Sequence, residues 1–249
     1  LRHLWSLAIE GQLYVVWPLA FVLLIRRWKG RWAPLMAFLG ACASAALMAW
    51  LYQPDVDPSR VYYGTDTRAC GFLLGAALAF APLARRSAKG IGPWLSDLAG
   101  LASLGLLAWS CAAINAYQPL LYRGGLGIVA VSTVLVISAV ARPGTRLVPG
   151  LLGWGPLRWI GLRSYGIYLW HWPVFMLTRP QLDLPLSGIP LLILRLAATF
   201  VLTEISYRCV EKPLRLGALG RARQAYGQAR GSRRLALGLR WGGAFAAIA

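Results

Sequence analysis

LWSLAIEGQLYVVWP, residues 4–18, is an apolar stretch with one carboxylate, Glu10, near its head. The apolar run continues to Ile25, long enough for a helix across a bilayer. An acid at the edge of such a helix is costly unless it is partnered or used. The penalty is on the order of 2.5–3.5 kcal/mol at mid-bilayer and smaller near the interface. Helical spacing puts His3, Ser6, Glu10 and Tyr14 on one face, so a base, a hydroxyl, a carboxylate and a phenol face one neighbour.

The composition extends this reading to the whole chain. Of 249 residues, 58% are hydrophobic and only 14% charged, well below the charged share of a soluble domain. The 12 Trp, 15 Pro and 27 Gly fit membrane spans and their interfaces. A net charge of +18 raises nucleic acid as a partner. The distribution argues against it, because the basic residues lie in short clusters between apolar runs. The four cysteines, Cys42, Cys70, Cys111 and Cys209, show no metal-ligand spacing and read as small buried residues; no metal site is expected.

Apolar runs predict seven spans, at 8–25, 33–51, 67–84, 95–114, 121–141, 164–179 and 188–207, and the start of an eighth near 235. The expected fold is all-α, a polytopic transmembrane helical bundle. Residues 1–216 form its transmembrane domain, 217–234 a basic connector and 235–249 the start of a further helix. The odd loops carry the basic residues, from Arg26, Arg27, Lys29 and Arg31 in the first to Arg208, Lys212, Arg215 and five more arginines in the seventh. The even loops hold only Arg60, Arg123 and Arg179, with Asp55, Asp57 and Asp183. The positive-inside rule makes the odd loops cytoplasmic and puts Glu10 near the outer surface. The first residue is Leu and the last apolar run is short of a span, so the chain reads as an internal piece of a longer protein.

Two further patches carry candidate chemistry. In GLRSYGIYLWHWPVF, residues 161–175, Ser164, Tyr168, His171 and Phe175 share one helical face. His171 reads either as a proton carrier or as a satisfied core residue. In YYGTDTRACGFLLG, residues 62–75, Thr65 or Asp66 caps a helix beginning near Thr67, with Arg68 just inside it. Arg68 either snorkels or pairs with an acid at its own depth, Glu10 being the obvious one, with Asp66 nearer in sequence. Gly71 and Gly75 make a GxxxG, which permits close helix approach. Arg195 is mid-span and must face protein or water; Glu204, half a turn away around the helix, is not its expected partner.

The segments WSLAIE (5–10) with QLY (12–14) and WP (17–18), YGTDTR (63–68), SYGIYLWHWP (164–173) and VEKPLR (210–215) together resemble the acyltransferase 3 family of integral membrane acyltransferases. The resemblance is to the bacterial, O-antigen acetylase-like branch that O-acylates envelope and surface sugars. It implies about ten spans in the bacterial inner membrane, three of them ahead of this chain. Those three would carry an essential His, which is absent here. Some members add an eleventh span leading to an extracytoplasmic SGNH hydrolase-like domain, and the run at 235–249 reads as the start of that span.

The implied reaction moves an acyl group, acetyl by this reading, from cytoplasmic acyl-CoA to a hydroxyl of a carbohydrate. No bound cofactor is expected, and the partners are the lipid bilayer, the donor and the sugar. The implied catalytic residues are Glu10, Arg68 and His171. Glu10 would orient or charge-balance the missing His, and Arg68 would position Glu10 or hold the donor. Ser6, Tyr14, Tyr168 and Arg195 are the candidates for substrate contact. Lipopolysaccharide, peptidoglycan, exopolysaccharide, glycolipid and macrolide are all open as acceptors. The rival from another class is a polytopic transporter or flippase, favoured by Arg195 and by the proline in the sixth span.

Overall fold

A computed structural model describes residues 4–28, 32–80, 92–115, 118–180, 182–217 and 220. These form two compact units, one up to Arg158 and one from Trp159. Among the described residues every regular element is helical. The chain is thus an all-α polytopic bundle.

The first unit contains α1 (Trp5–Trp28), α2 (Ala33–Leu51), α3 (Ser59–Tyr63), α4 (Thr65–Phe80), α5 (Pro93–Ala113), α6 (Leu126–Ala141) and α7 (Leu147–Leu152). Prolines at the first turns of α2 and α5 start these helices where the missing N–H has no intrahelical partner. The buried positions of α2 are Ala33, Ala37, Ala41, Ser44 and Met48, a stripe of mostly small side chains along which α4 packs. A turn at Leu121–Gly125 leads into α6 and bends at Gly124, whose φ of 136° suits glycine. Beside it, Tyr122 is buried and stacks on Tyr52 with ring centroids 4.7 Å apart. Met48, Val61 and Tyr122 form one core cluster, and Val136, Ala139 and Val148 a second.

Asp97 of α5 anchors the far end of this unit. Its carboxylate accepts the backbone N–H groups of Arg146, Leu147 and Val148 at 2.8, 3.1 and 3.1 Å, satisfying the otherwise orphaned start of α7. The tightest glycine contacts are not at the GxxxG of α4. Gly71 would place a Cβ 3.9 Å from Ala130, and Gly75 would meet nothing within 4 Å. Between the long helices of this unit, Gly100 is the close approach: a Cβ there would sit 2.8 Å from both Ala139 and Val148.

The second unit contains α8 (Gly155–Met176) from Trp159 on, α9 (Gly188–Ser206), a π turn at Tyr207–Glu211 and α10 (Lys212–Arg215). Gly166 of α8 lies against Thr203 of α9, so closely that a Cβ would meet the threonine methyl at 2.9 Å.

The helices differ from the predicted spans at several ends; α1 runs from Trp5 to Trp28 against a predicted 8–25. α8 begins at Gly155, nine residues before the predicted 164, so Arg158 and Arg163 are helical rather than loop residues. It runs through Pro173 to Met176. α4 begins at Thr65, two residues early, with Asp66 accepting the N–H of Thr67 at 3.0 Å. Among the described residues, five stretches, Trp5–Leu23, Ala33–Leu51, Pro93–Ala113, Leu121–Ala141 and Gly188–Arg215, are long and apolar enough to cross a membrane. The connector beyond 220 and the run at 235–249 lie outside the described residues.

Candidate functional site

Arg68 enters the first turn of α4 from a loop built of short-range bonds. The Thr67 hydroxyl donates to the carbonyls of Val61 and Gly64 at 2.7 and 2.9 Å, which closes the turn between α3 and α4. Ser44 of α2 ties the same turn down, donating to the Asp66 carbonyl at 2.5 Å. The Thr65 hydroxyl reaches α1, donating to Gln12 Oε1 at 2.7 Å. The turn carrying Arg68 is therefore tied to both α1 and α2.

The half-buried guanidinium of Arg68 is held by aromatic rings and a backbone carbonyl. Its Nε donates to the Tyr62 carbonyl at 2.9 Å. Its Cζ lies 4.3 Å from the centroid of the Tyr62 ring and 5.0 Å from that of Trp5. Rings at this distance attract a cation through their quadrupoles. Trp5, Tyr62 and Tyr63 make a three-ring cluster with centroids 5.0–5.1 Å apart.

The ion pair expected between Glu10 and Arg68 is not formed. The chain has eight carboxylates, and all of them lie in described residues. Asp66, the sequence neighbour, takes both prongs of Arg60 at 3.0 and 2.7 Å. Asp183 pairs with Arg179, Glu204 with Arg163 and Arg208, and Glu211 with Arg215. Asp97 is occupied by backbone N–H groups and Asp57 by Ser59. No carboxylate among the described residues pairs with Arg68. Equal depth in the membrane was a poor guide, because a guanidinium can be held by rings and carbonyls as well as by an acid.

Ser6, Glu10 and Tyr14 lie on one unbroken helix, so the predicted stripe exists; His3 lies outside the described residues. Glu10 is exposed, and Tyr14 is 65% exposed. On the neighbouring face of α1, Trp5 meets Tyr62 of α3, Gln12 accepts from Thr65 of α4, and Ile9 is buried.

In the second unit, His171 Nδ1 lies 2.7 Å from the Tyr168 carbonyl and 3.2 Å from that of Ile167. Both are acceptors, so Nδ1 carries the proton and a neutral ring keeps its lone pair on Nε2. The Tyr168 and His171 rings are 5.6 Å apart, as the shared face requires. Arg195 is satisfied locally. Its Nε and Nη2 donate to the hydroxyl and carbonyl of Thr178 at 3.0 and 2.7 Å, and its Cζ sits 4.5 Å from the Phe175 ring. It therefore clasps the segment after α8.

The sequence reading missed a charged cluster here. Arg163 donates through Nε and Nη2 to both oxygens of Glu204, and its Cζ lies 4.4 Å from the rings of both Trp159 and Tyr207. Arg208 Nε adds a bond to Glu204 at 2.5 Å. In the loop after α8, a hydrogen bond from Arg179 holds the Asp183 carboxyl below the usual carboxylate range. Ser6, Glu10, Tyr14 and Arg68 thus belong to the first unit, and Tyr168, His171 and Arg195 to the second. The roles of Trp5 and Tyr62 were also missed; each opens a quoted stretch, 5–10 and 62–75, but their meeting on Arg68 is a tertiary fact.

Comparison with known proteins identifies the family of the chain. A family model described as an acyltransferase domain matches residues 1–208. The peptidoglycan O-acetyltransferase OatA of Listeria monocytogenes is 44% identical over 224 residues, covering 86% of this chain and 35% of that protein. The O-acetyltransferase OatA of Staphylococcus aureus is 35% identical over 219 residues, with 86% and 36% covered. The chain thus spans about a third of the length of these relatives. No solved structure matches it. With four motifs in family order and a family model across most of its length, the chain belongs to the acyltransferase 3 family of integral membrane acyltransferases.

Proposed function

We propose that this chain is the acyl-transferring membrane domain of a bacterial inner-membrane enzyme that moves an acetyl group from cytoplasmic acyl-CoA to a hydroxyl of a peptidoglycan sugar. The observation that carries the reading is Arg68, a half-buried cation with no carboxylate partner among the described residues, at the same end of the first unit as Glu10. Acyl transfer needs a base to take the proton of the sugar hydroxyl and donors to meet the developing negative charge. Glu10 charge-balances and orients the base, which by the family resemblance lies in spans outside this chain. His171, with its proton fixed on Nδ1, is the second proton-handling group. Ser6 and Tyr14 contribute substrate contacts from the first unit, and Tyr168 is a separate candidate contact in the second. The relatives' names make peptidoglycan the acceptor of choice among the sugars left open by the sequence.

Two features cited for a transporter read equally well as structural. Arg195 is occupied by Thr178, and α8 runs unbroken past Pro173. Labelled acetyl-CoA given to membranes holding the full-length protein tests the proposal. Label should appear on peptidoglycan sugars with the wild type and not with Glu10→Gln at equal membrane abundance. Wild-type transfer by Glu10→Gln would remove Glu10 from the mechanism, and no transfer by any form would remove the enzyme reading.

A further inference from the structure

We infer that Arg68, Trp5, Tyr62 and Tyr63 form an acceptor subsite that takes a sugar bearing an oxyanion, either a carboxylate or a phosphate. The inference rests on the acyl-transfer reading and specifies what its unpaired cation holds. Withdrawing a guanidinium from water without a counter-charge is costly, and the cost is recovered when an anion arrives. The chain's own acids do not supply that anion, since none of its eight carboxylates pairs with Arg68. The nearest in sequence, Asp66, is occupied by Arg60.

The geometry prepares Arg68 for a ligand. Its Nε is anchored to the Tyr62 carbonyl at 2.9 Å, which fixes the plane of the guanidinium. A planar guanidinium is a two-pronged donor matched to carboxylate or phosphate oxygens. Beside it, Tyr63 is 45% exposed and meets the Trp5 ring edge-on at 5.0 Å. An exposed aromatic face is a platform for the apolar face of a sugar ring, while the cation alongside takes the sugar's charged substituent. The acceptor fits better than the donor. The α3–α4 loop belongs to the set poor in basic residues, which the charge rule puts outside, whereas acyl-CoA is cytoplasmic.

The test is binding without any acyl donor, so that it stands apart from catalysis. Full-length protein in lipid nanodiscs is titrated calorimetrically with N-acetylmuramic acid, N-acetylglucosamine 1-phosphate and N-acetylglucosamine. At least one anionic sugar should bind about tenfold or more tighter than the neutral one, as charge-assisted hydrogen bonds outweigh neutral ones. The tighter of the two anions identifies the source of the oxyanion. In Arg68→Gln the preference should fall to within about twofold.

Arg68→Lys keeps the charge but loses the fork, so a preference of about threefold should remain. This variant carries the test if Arg68→Gln does not assemble. Equal binding of all three sugars by the wild type overturns the inference, as does a preference that survives Arg68→Gln or is absent in Arg68→Lys. A protein that shows the preference but transfers no acetyl group loses the enzyme reading and keeps the subsite.

Discussion

Ser44 of α2 accepts the backbone N–H of Cys70 in α4 at 3.1 Å. Its own hydroxyl donates to the Asp66 carbonyl at 2.5 Å. Asp66 and Cys70 are the two ends of one helical turn, and Arg68 lies between them. One hydroxyl from α2 thus bridges the backbone of the turn that presents Arg68. A side chain inserted at the backbone ladder is an established source of helix bending.

Ser44→Ala should therefore weaken the fold and the site together. The bridge joins buried groups, so its loss costs about 1 kcal/mol. In a full-length protein larger than this chain, that corresponds to a drop in Tm of at most about 2–4 °C. Thermal melts of full-length protein in detergent check this, and an unchanged Tm would show that the turn closes equally well without the bridge.

Gly100 and Gly75 should respond to alanine in opposite ways. Gly100→Ala places a methyl 2.8 Å from both Ala139 and Val148, in a cluster where Val148 has no exposed surface. Overpacking of this kind costs about 1–3 kcal/mol. Gly75→Ala meets nothing within 4 Å, so the helix gains about 0.5–1 kcal/mol from the lost backbone freedom. Equal melting temperatures for the two variants would contradict the packing described for α5, α6 and α7.

The same contrast shows what the chain's residues disclose on their own. Apolar runs announced α1, α2, α4, α5, α6 and α9 closely because length and hydropathy are local properties. α8 was started late because Arg158 and Arg163 look like loop charges until Trp159, Tyr207 and Glu204 are seen to receive Arg163. The α1 stripe was legible because it needs only helical spacing. The partner of Arg68 was not, since Tyr62 and Trp5 reach it from two other helices. Likewise, GxxxG marks a permissive surface, but the crossing that uses a glycine most tightly in the first unit is at Gly100, where the neighbours decide.

Topology gives a prediction from charge alone. In a background lacking the four native cysteines, Val56→Cys in the acidic second loop should react with a membrane-impermeant thiol reagent in intact cells. Trp154→Cys, in the stretch between Arg146 and Arg158, should react only after permeabilisation. Both side chains are exposed, at 57% and 62%, so access is set by the membrane and not by burial. Labelling of position 154 from outside would invert the orientation.

The last prediction concerns Arg163 and Glu204, joined by two hydrogen bonds between α8 and α9. Their side chains are 11% and 23% exposed, whereas Arg208, the second partner of Glu204, is 73% exposed. Breaking a fully buried pair costs about 3–5 kcal/mol because the remaining charge is stranded. An exposed pair contributes at most about 1 kcal/mol. With Arg163 the less exposed partner, Glu204→Gln should lower stability clearly more than Arg208→Gln does. Arg208→Gln should cost less than about 0.5 kcal/mol, since its guanidinium is mostly solvated.

If the cost of Glu204→Gln is stranded charge, removing both partners should recover most of it. Arg163→Met with Glu204→Leu leaves an apolar contact against Trp159 and Phe200, whose rings are 5.9 Å apart. Denaturation of the four forms in one detergent closes the double-mutant cycle. Single losses that simply add in the double variant would show that the two groups act independently. An Arg208→Gln variant as unstable as Glu204→Gln would make the exposed guanidinium, not Arg163, the partner that matters.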